Sequence, residues 1–155
     1  MATEDRASLL SLRAVTFRTD ERVILDAVDF EWGDAGICAL MGANGSGKTV
    51  LLRTIHGLLA PSSGDVRFEG RRRAGGDLAF EGQALMFQYP SLFRGTALEN
   101  LLLVPCAGTS RRARRTRALA MLERVGLRAL AHAPAPRLSG GERQRLALAR
   151  AWMIA

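Results

Sequence analysis

An α/β fold is what this sequence predicts, and three observations predict it. The first part alternates apolar and polar residues in strand-like stretches. A continuous apolar run then opens directly into a glycine-rich loop and a helical pattern, and beyond Pro90 the chain turns to helical periodicity. A β-rich, Gly-rich beginning joined to a helical remainder reads as a mixed core carrying a helical lobe.

Taken in order, residues 9–17 (LLSLRAVTF) and 23–32 (VILDAVDFEW) predict two half-buried antiparallel strands joined across the charged turn TDER. Gly36 to Met41 (GICALM) predicts a strand buried on both faces. GANGSGKT follows at once, and Val50, Leu51, Ile55 and Leu58 then fall at helical spacing. APSSG at 60–64 breaks the chain, DVRFEG predicts another short strand, Arg71 to Asp77 a basic loop, and QALMFQ at 83–88 a second buried strand. Helices are expected over 96–104 and about 110–126, then a linker HAPAPR, then a last helix opening at LSGGE.

Composition excludes several classes. With 155 residues, 48% of them hydrophobic and 24% charged, the chain is one domain or part of one, and wholesale disorder is ruled out. No apolar run approaches the ~18 residues of a membrane-spanning helix. The acids in MATEDRASLL sit where an export signal would be basic, so a soluble intracellular chain is expected. Cys38 and Cys106 form no CxxC pair and read as reduced, mostly buried thiols. The net charge is +7, and of the 22 cationic residues 21 are Arg; the one lysine is Lys48. Where Arg is accepted everywhere else, that lysine marks a place suited to a compact ammonium rather than a planar fork.

The surroundings of Lys48 give this weight. GANGSGKT matches G-x-x-x-x-G-K-[ST], the phosphate-binding P-loop pattern, through Gly42, Gly47, Lys48 and Thr49. A polyphosphate needs a concave nest of backbone N–H groups that side chains would block. Gly42, Gly45 and Gly47, with Ala43, Asn44 and Ser46 between them, supply it. The helix that follows aims its unpaired amides and its dipole at the same anion. Lys48 then reaches the β and γ phosphates, and the Thr49 hydroxyl holds Mg²⁺. A second motif, Ser139-Gly140-Gly141-Glu142, opens the last helix and is a literal capping box. Yet two glycines in a first turn disfavour the helix by about 1 kcal/mol each. Bare backbone at a helix start also suits a phosphate, so cap and second phosphate contact both stand.

With LSGGERQRLALARA some ninety residues after the P-loop, and MFQYPSLF between them, the chain resembles the ATP-binding cassette ATPases, the motor subunits of ABC transporters. The resemblance covers nearly the whole chain. It implies a P-loop NTPase core (here an incomplete parallel sheet) with N-terminal antiparallel β strands and a helical signature subdomain. Residues 1–88 would form the core with its β subdomain, 89–140 the helical subdomain and 141–155 the signature helix. It further implies ATP and Mg²⁺ as ligands and a head-to-tail dimer. In that dimer one protomer's P-loop and the partner's signature residues Ser139, Gly140, Gly141 and Glu142 enclose each nucleotide. Gln88 would contact Mg²⁺ and the attacking water. Tyr89 to Phe93 would line a groove for a transmembrane permease subunit, which places the chain peripherally on the cytoplasmic face of the plasma membrane. On the residues alone, Phe87, Tyr89 and Phe93 read more readily as core or loop aromatics than as the lining of such a groove.

Two features depart from the family's pattern. The adenine-stacking aromatic falls by counting at Thr19, which leaves Phe17 or no residue for that role. The Asp-Glu strand after the signature helix and the later switch histidine are absent from these 155 residues, and neither His56 nor His132 replaces them. A missing general base removes about 10²–10⁴-fold in rate. A shortened form with little turnover is therefore expected, with its buried parallel strands left as exposed, aggregation-prone edges. The alternatives are a non-catalytic nucleotide-binding module and a basic nucleic-acid-associated ATPase fragment. The arginine runs at 71–73 and 111–117 come without an aromatic platform, so a solvated face is expected there and no specific nucleic acid. GKTVLLRTIHGLLAP is similar to importers of tungstate and related oxyanions.

Overall fold

The computed structural model describes residues 8–33, 36–72, 83–105 and 108–154. The chain divides into two compact units, residues 1–79 and 80–155.

The first unit is built on a four-stranded antiparallel sheet of order β2-β1-β3-β4, with β1 Leu10–Arg18, β2 Val23–Trp32, β3 Ser63–Phe68 and β4 Arg71–Arg72. The two expected N-terminal strands form, and TDER closes them: the Thr19 amide donates to the Arg22 carbonyl at 2.9 Å. Both strands carry a bulge. Leu12 opposes Phe30, but the next aligned pair is Val15 with Val28, and Ala14 and Ala27 take φ of 48° and 43°. The inserted residue shifts the inward set from Leu10 and Leu12 to Val15 and Phe17, so apolar side chains stay on one face despite the slip. Each bulge amide finds a side chain on the opposite strand: Ala14 N–H donates to Asp29 Oδ1 at 2.8 Å, and Ala27 N–H to Thr16 Oγ1 at 3.1 Å. Gly64, at φ +88° on β3, lies so close to Ala14 that a Cβ would overlap its carbonyl. Leu10, Leu12, Val15, Leu25 and Val66 make the core, and helix α1 (Lys48–Ile55) lays Val50, Leu51 and Ile55 on it.

The stretches 36–41 and 83–88, expected as buried strands, are not strands. Neither belongs to a sheet among the described residues, and most of their apolar side chains are exposed: Ile37 is 99% and Met41 84% exposed, and Met86 and Phe87 are exposed as well. A strand needs neighbours for its N–H and C=O groups, and no described segment supplies them here. Cys38, expected buried, is exposed for the same reason. Cys106 and Arg73 to Asp77 lie outside the described residues.

The second unit packs α2 (Ala97–Leu102), α3 (Arg111–Arg124) and α4 (Gly140–Trp152) with short 3-10 turns at Arg128–Leu130 and Ala135–Arg137. Leu101, Leu122, Leu127, Leu146 and Met153 are its largest fully buried apolar side chains. The linker from 131 to 135 is sewn to the start of α2, with Ala97 and Leu98 amides donating to Ala133 and Ala131 at 3.0 and 2.9 Å. One polar side chain sits wholly inside. Asn100 Oδ1 accepts the Phe93 amide at 2.8 Å, and Nδ2 donates to the carbonyls of Phe93 and Thr96 at 3.2 and 3.0 Å. Such a satisfied group fixes the loop before α2, whereas its removal leaves the Phe93 amide without an acceptor. Asn100→Ala is expected to destabilise this unit by about 2–3 kcal/mol, read as a lower urea midpoint.

Candidate functional site

The glycine-rich loop leads into α1 by a turn that only glycine accepts. Gly47 is the helix N-cap at φ +88°, and a Cβ there would come within 3.0 Å of the Ile24 carbonyl and 3.1 Å of Leu25 Cδ2. The loop therefore lies directly against β2. Gly45 is also left-handed, at φ +82°. No side chain caps α1. The other three α-helices among the described residues are each capped by a hydroxyl, from Thr96, Ser110 and Ser139. The first-turn amides of α1 thus stay available, with the positive end of the helix dipole behind them.

Lys48 turns back across this loop. Its ammonium donates to the carbonyls of Gly42 at 2.8 Å and Ala43 at 2.7 Å. That places a compact positive charge inside the ring of residues 42–48, where an anion lying on the helix start would meet it. Residues 42–46 and Thr49 are exposed. A cradle of unhindered amides, a held ammonium and an exposed first-turn hydroxyl fit the phosphate tail of a nucleotide with its magnesium ion. Gln88, the other expected metal contact, belongs to the second unit and is exposed.

At the second motif the capping box forms in full. Ser139 Oγ accepts the Glu142 amide at 3.3 Å, and Glu142 Oε2 accepts the Ser139 amide at 2.7 Å. The serine oxygen is an acceptor in this box, so its own O–H proton is still free to donate. Gly140 and Gly141 differ from Gly47. Both have ordinary φ, nothing lies within 4 Å of a Cβ at Gly140, and a Cβ at Gly141 meets only an Arg145 nitrogen at 3.8 Å. The fold demands glycine at Gly47 and does not demand it at Gly140 or Gly141.

The remaining candidates fall into place one by one. His56 ends α1 half-buried, its amide donating to the Leu52 carbonyl at 3.0 Å, and His132 is exposed on the linker. Phe17 packs against the sheet core, while Thr19 is spent on its own turn. Tyr89 and Phe93 are 83% and 57% exposed. Arg111, Arg112, Arg115 and Arg117 line the exposed face of α3, and Arg114 is half-buried, donating to the Leu102 carbonyl at 3.4 Å. Arg72 on β4 pairs with Asp65. Two side chains were missed by sequence reasoning. Asn100 has no pattern to announce it, and Arg150, donating to the Ser91 carbonyl at 2.9 Å, is one arginine among 21.

The backbone and hydroxyl of Ser139 hold the Glu142 carboxyl below the usual glutamate range, and the backbone and hydroxyl of Thr96 do the same for Glu99. A folded pKa below the unfolded one means that the unfolded chain takes up the proton first as pH falls. The stabilisation is therefore complete above the unfolded value of about 4.3 and is lost as pH drops through the lower folded value. Acid unfolding followed by circular dichroism should show this loss, and Glu142→Gln with Glu99→Gln should flatten it. The glycines give a contrast of sign. Gly47→Ala should destabilise by more than about 1 kcal/mol through its backbone conformation, whereas Gly141→Ala should stabilise by up to about 1 kcal/mol, both read by thermal melting.

Comparison with known proteins bears on the fold and the family. LolD 1 of Caulobacter vibrioides, a lipoprotein-releasing system ATP-binding protein, is 41% identical over 145 residues, covering 86% of this chain and 61% of the relative. FbpC of Streptomyces coelicolor, an Fe(3+) ions import ATP-binding protein, is 38% identical over 146 residues, covering 93% of this chain and 42% of the relative. The chain thus spans less than two thirds of either relative. Among solved structures, cbiO1 from Clostridium perfringens superposes with a TM-score of 0.82 at 23% identity, over 96% of this chain and 62% of that one, and shows the fold. A dimeric ATP-binding cassette in a post-hydrolysis state with ADP and Pi gives 0.79 at 30% identity, over 93% of this chain and 69% of that one. The ABC transporter family model matches residues 25–155, so the chain belongs to the ABC transporter family.

Proposed function

We propose that this chain is the nucleotide-binding part of an ABC transporter ATPase, which couples ATP to solute movement through a transmembrane permease. Residues Gly42 to Thr49 take the phosphates, Lys48 the β and γ oxygens, and Thr49 the Mg²⁺, which neutralises charge on the phosphate tail. Ser139, Gly140 and Gly141, held in their turn by Glu142, face the nucleotide bound by a second copy in a head-to-tail dimer. The observation that carries the reading is the Lys48 ammonium held over an uncapped helix start.

Exposed Tyr89 and Phe93 are the surface for the permease, and the chain works peripherally on the cytoplasmic face of the membrane. No helix among the described residues is long and apolar enough to cross a membrane. The arginine face of α3 is solvated and carries no specific nucleic acid. On cargo, the likeness of GKTVLLRTIHGLLAP to tungstate and oxyanion importers favours import of an oxyanion, and FbpC is itself named for import. LolD 1 is named for lipoprotein release, which makes export of a lipid-linked cargo the second reading.

Residues 1–155 supply the phosphate loop and the signature turn, and neither His56 at the end of α1 nor His132 on the linker is assigned a part in hydrolysis. By themselves they are expected to bind ATP weakly and to turn it over negligibly, as a binding module does. Titration with a fluorescent ATP analogue in Mg²⁺ checks the binding. Lys48→Ala should weaken it about 10–100-fold, as loss of a charge-assisted contact does, in a chain that still melts cooperatively. Equal affinity for both chains would remove the assignment.

A further inference from the structure

α4 runs from the Ser139–Gly141 turn at one end to Arg150 and Trp152 at the other. At that far end Arg150 reaches 59 residues back along the chain. Its guanidinium donates to the Ser91 carbonyl at 2.9 Å and lies over the Phe93 ring, 5.8 Å from the centroid. Asn100 grips the same residue from α2, bonding both the amide and the carbonyl of Phe93. The end of α4 is itself fixed to α3: the Arg124 guanidinium stacks on Trp152 at 4.4 Å, and Arg117 donates to the Trp152 carbonyl at 3.4 Å. Residues 91–93 are therefore clamped between two helices, yet Tyr89 and the Phe93 ring stand out in solvent. A side chain that served packing alone would be apolar and would cover that ring. Arg150 instead holds the loop by the Ser91 carbonyl, and with its guanidinium over the ring Phe93 still stays 57% exposed.

We infer that Arg150 is a positioning residue, which sets the conformation of the Tyr89–Phe93 face and ties it to the signature helix. Displacement of the Ser139–Gly141 end then reaches that face along one rigid helix of 13 residues, about 20 Å long. The inference rests on the reading of those two ends as nucleotide-facing and permease-facing.

Amide hydrogen exchange on the whole chain, with and without Mg-ATP, tests it. In Arg150→Met the Phe93 and Gly95 amides should exchange about tenfold faster, the effect expected of losing one charge-assisted hydrogen bond, while the amides of α3 and α4 keep their protection. Arg150→Lys, which keeps a donor and a charge over the ring, should restore part of the protection. In the wild type Mg-ATP should shift exchange across 88–95, and Arg150→Met should lose that shift while binding ATP as tightly. Unchanged protection in Arg150→Met, loss spread evenly over the helical unit, or an undiminished ATP shift each overturns the proposal. Should Arg150→Met fail to fold, Phe93→Leu decides: it removes only the ring contact and should speed exchange at the Ser91–Gly95 amides two- to threefold, about the worth of an exposed cation–π pair. No change there overturns the clamp. If the wild type binds no Mg-ATP, the nucleotide reading fails on its own, and the ATP-free exchange still decides whether Arg150 positions the loop.

Discussion

At Gly47 the chain turns left-handed with the Ile24 carbonyl and the Leu25 side chain where a Cβ would stand. That contact presses the phosphate loop against β2, and it lets α1 begin with no side chain over its amides. Val50, Leu51 and Ile55 then anchor the helix on the sheet core, so the direction of the dipole is fixed by hydrophobic packing a few residues away. The held ammonium of Lys48, the exposed Thr49 and the open loop all follow from that one backbone turn. Burial supplies the rigidity and glycine supplies the access.

The two glycine-containing helix starts solve different problems. α1 is bare because its N-cap, Gly47, has no side chain to cap with. α4 keeps a full capping box and still has room for a ligand, because Ser139 uses one lone pair on Glu142 and retains its proton. The glycines at 140 and 141 meet no internal demand, which separates them from structural glycines such as Gly47 and Gly64.

Much of this was legible beforehand because it is local. The N-terminal strands, the loop, α1 and all three later helices are set by periodicity and by caps readable in a few neighbouring residues. The apolar runs 36–41 and 83–88 were legible only as apolar: a strand is a relation between segments, and composition cannot state whether the neighbours are present. The bulges at Ala14 and Ala27 hide behind an alternation that slips by one residue in each strand. Asn100 and Arg150 belong to no motif: Asn100 holds Phe93 through a half-buried bond, and Arg150 reaches Ser91 from 59 residues away through an exposed one. Gly42 to Thr49 and the glycines Gly140 and Gly141, by contrast, stood out because glycine makes little sense in an ordinary helix start.

The paired bulges of the first hairpin have a consequence for how the chain reaches this fold. Asp29 and Thr16 each serve an amide on the opposite strand, and they can do so in one alignment only. A hairpin zipped one position out would strand both amides and turn Leu12 and Val15 toward water. The register of the sheet is therefore written into two side chains as well as into its apolar face.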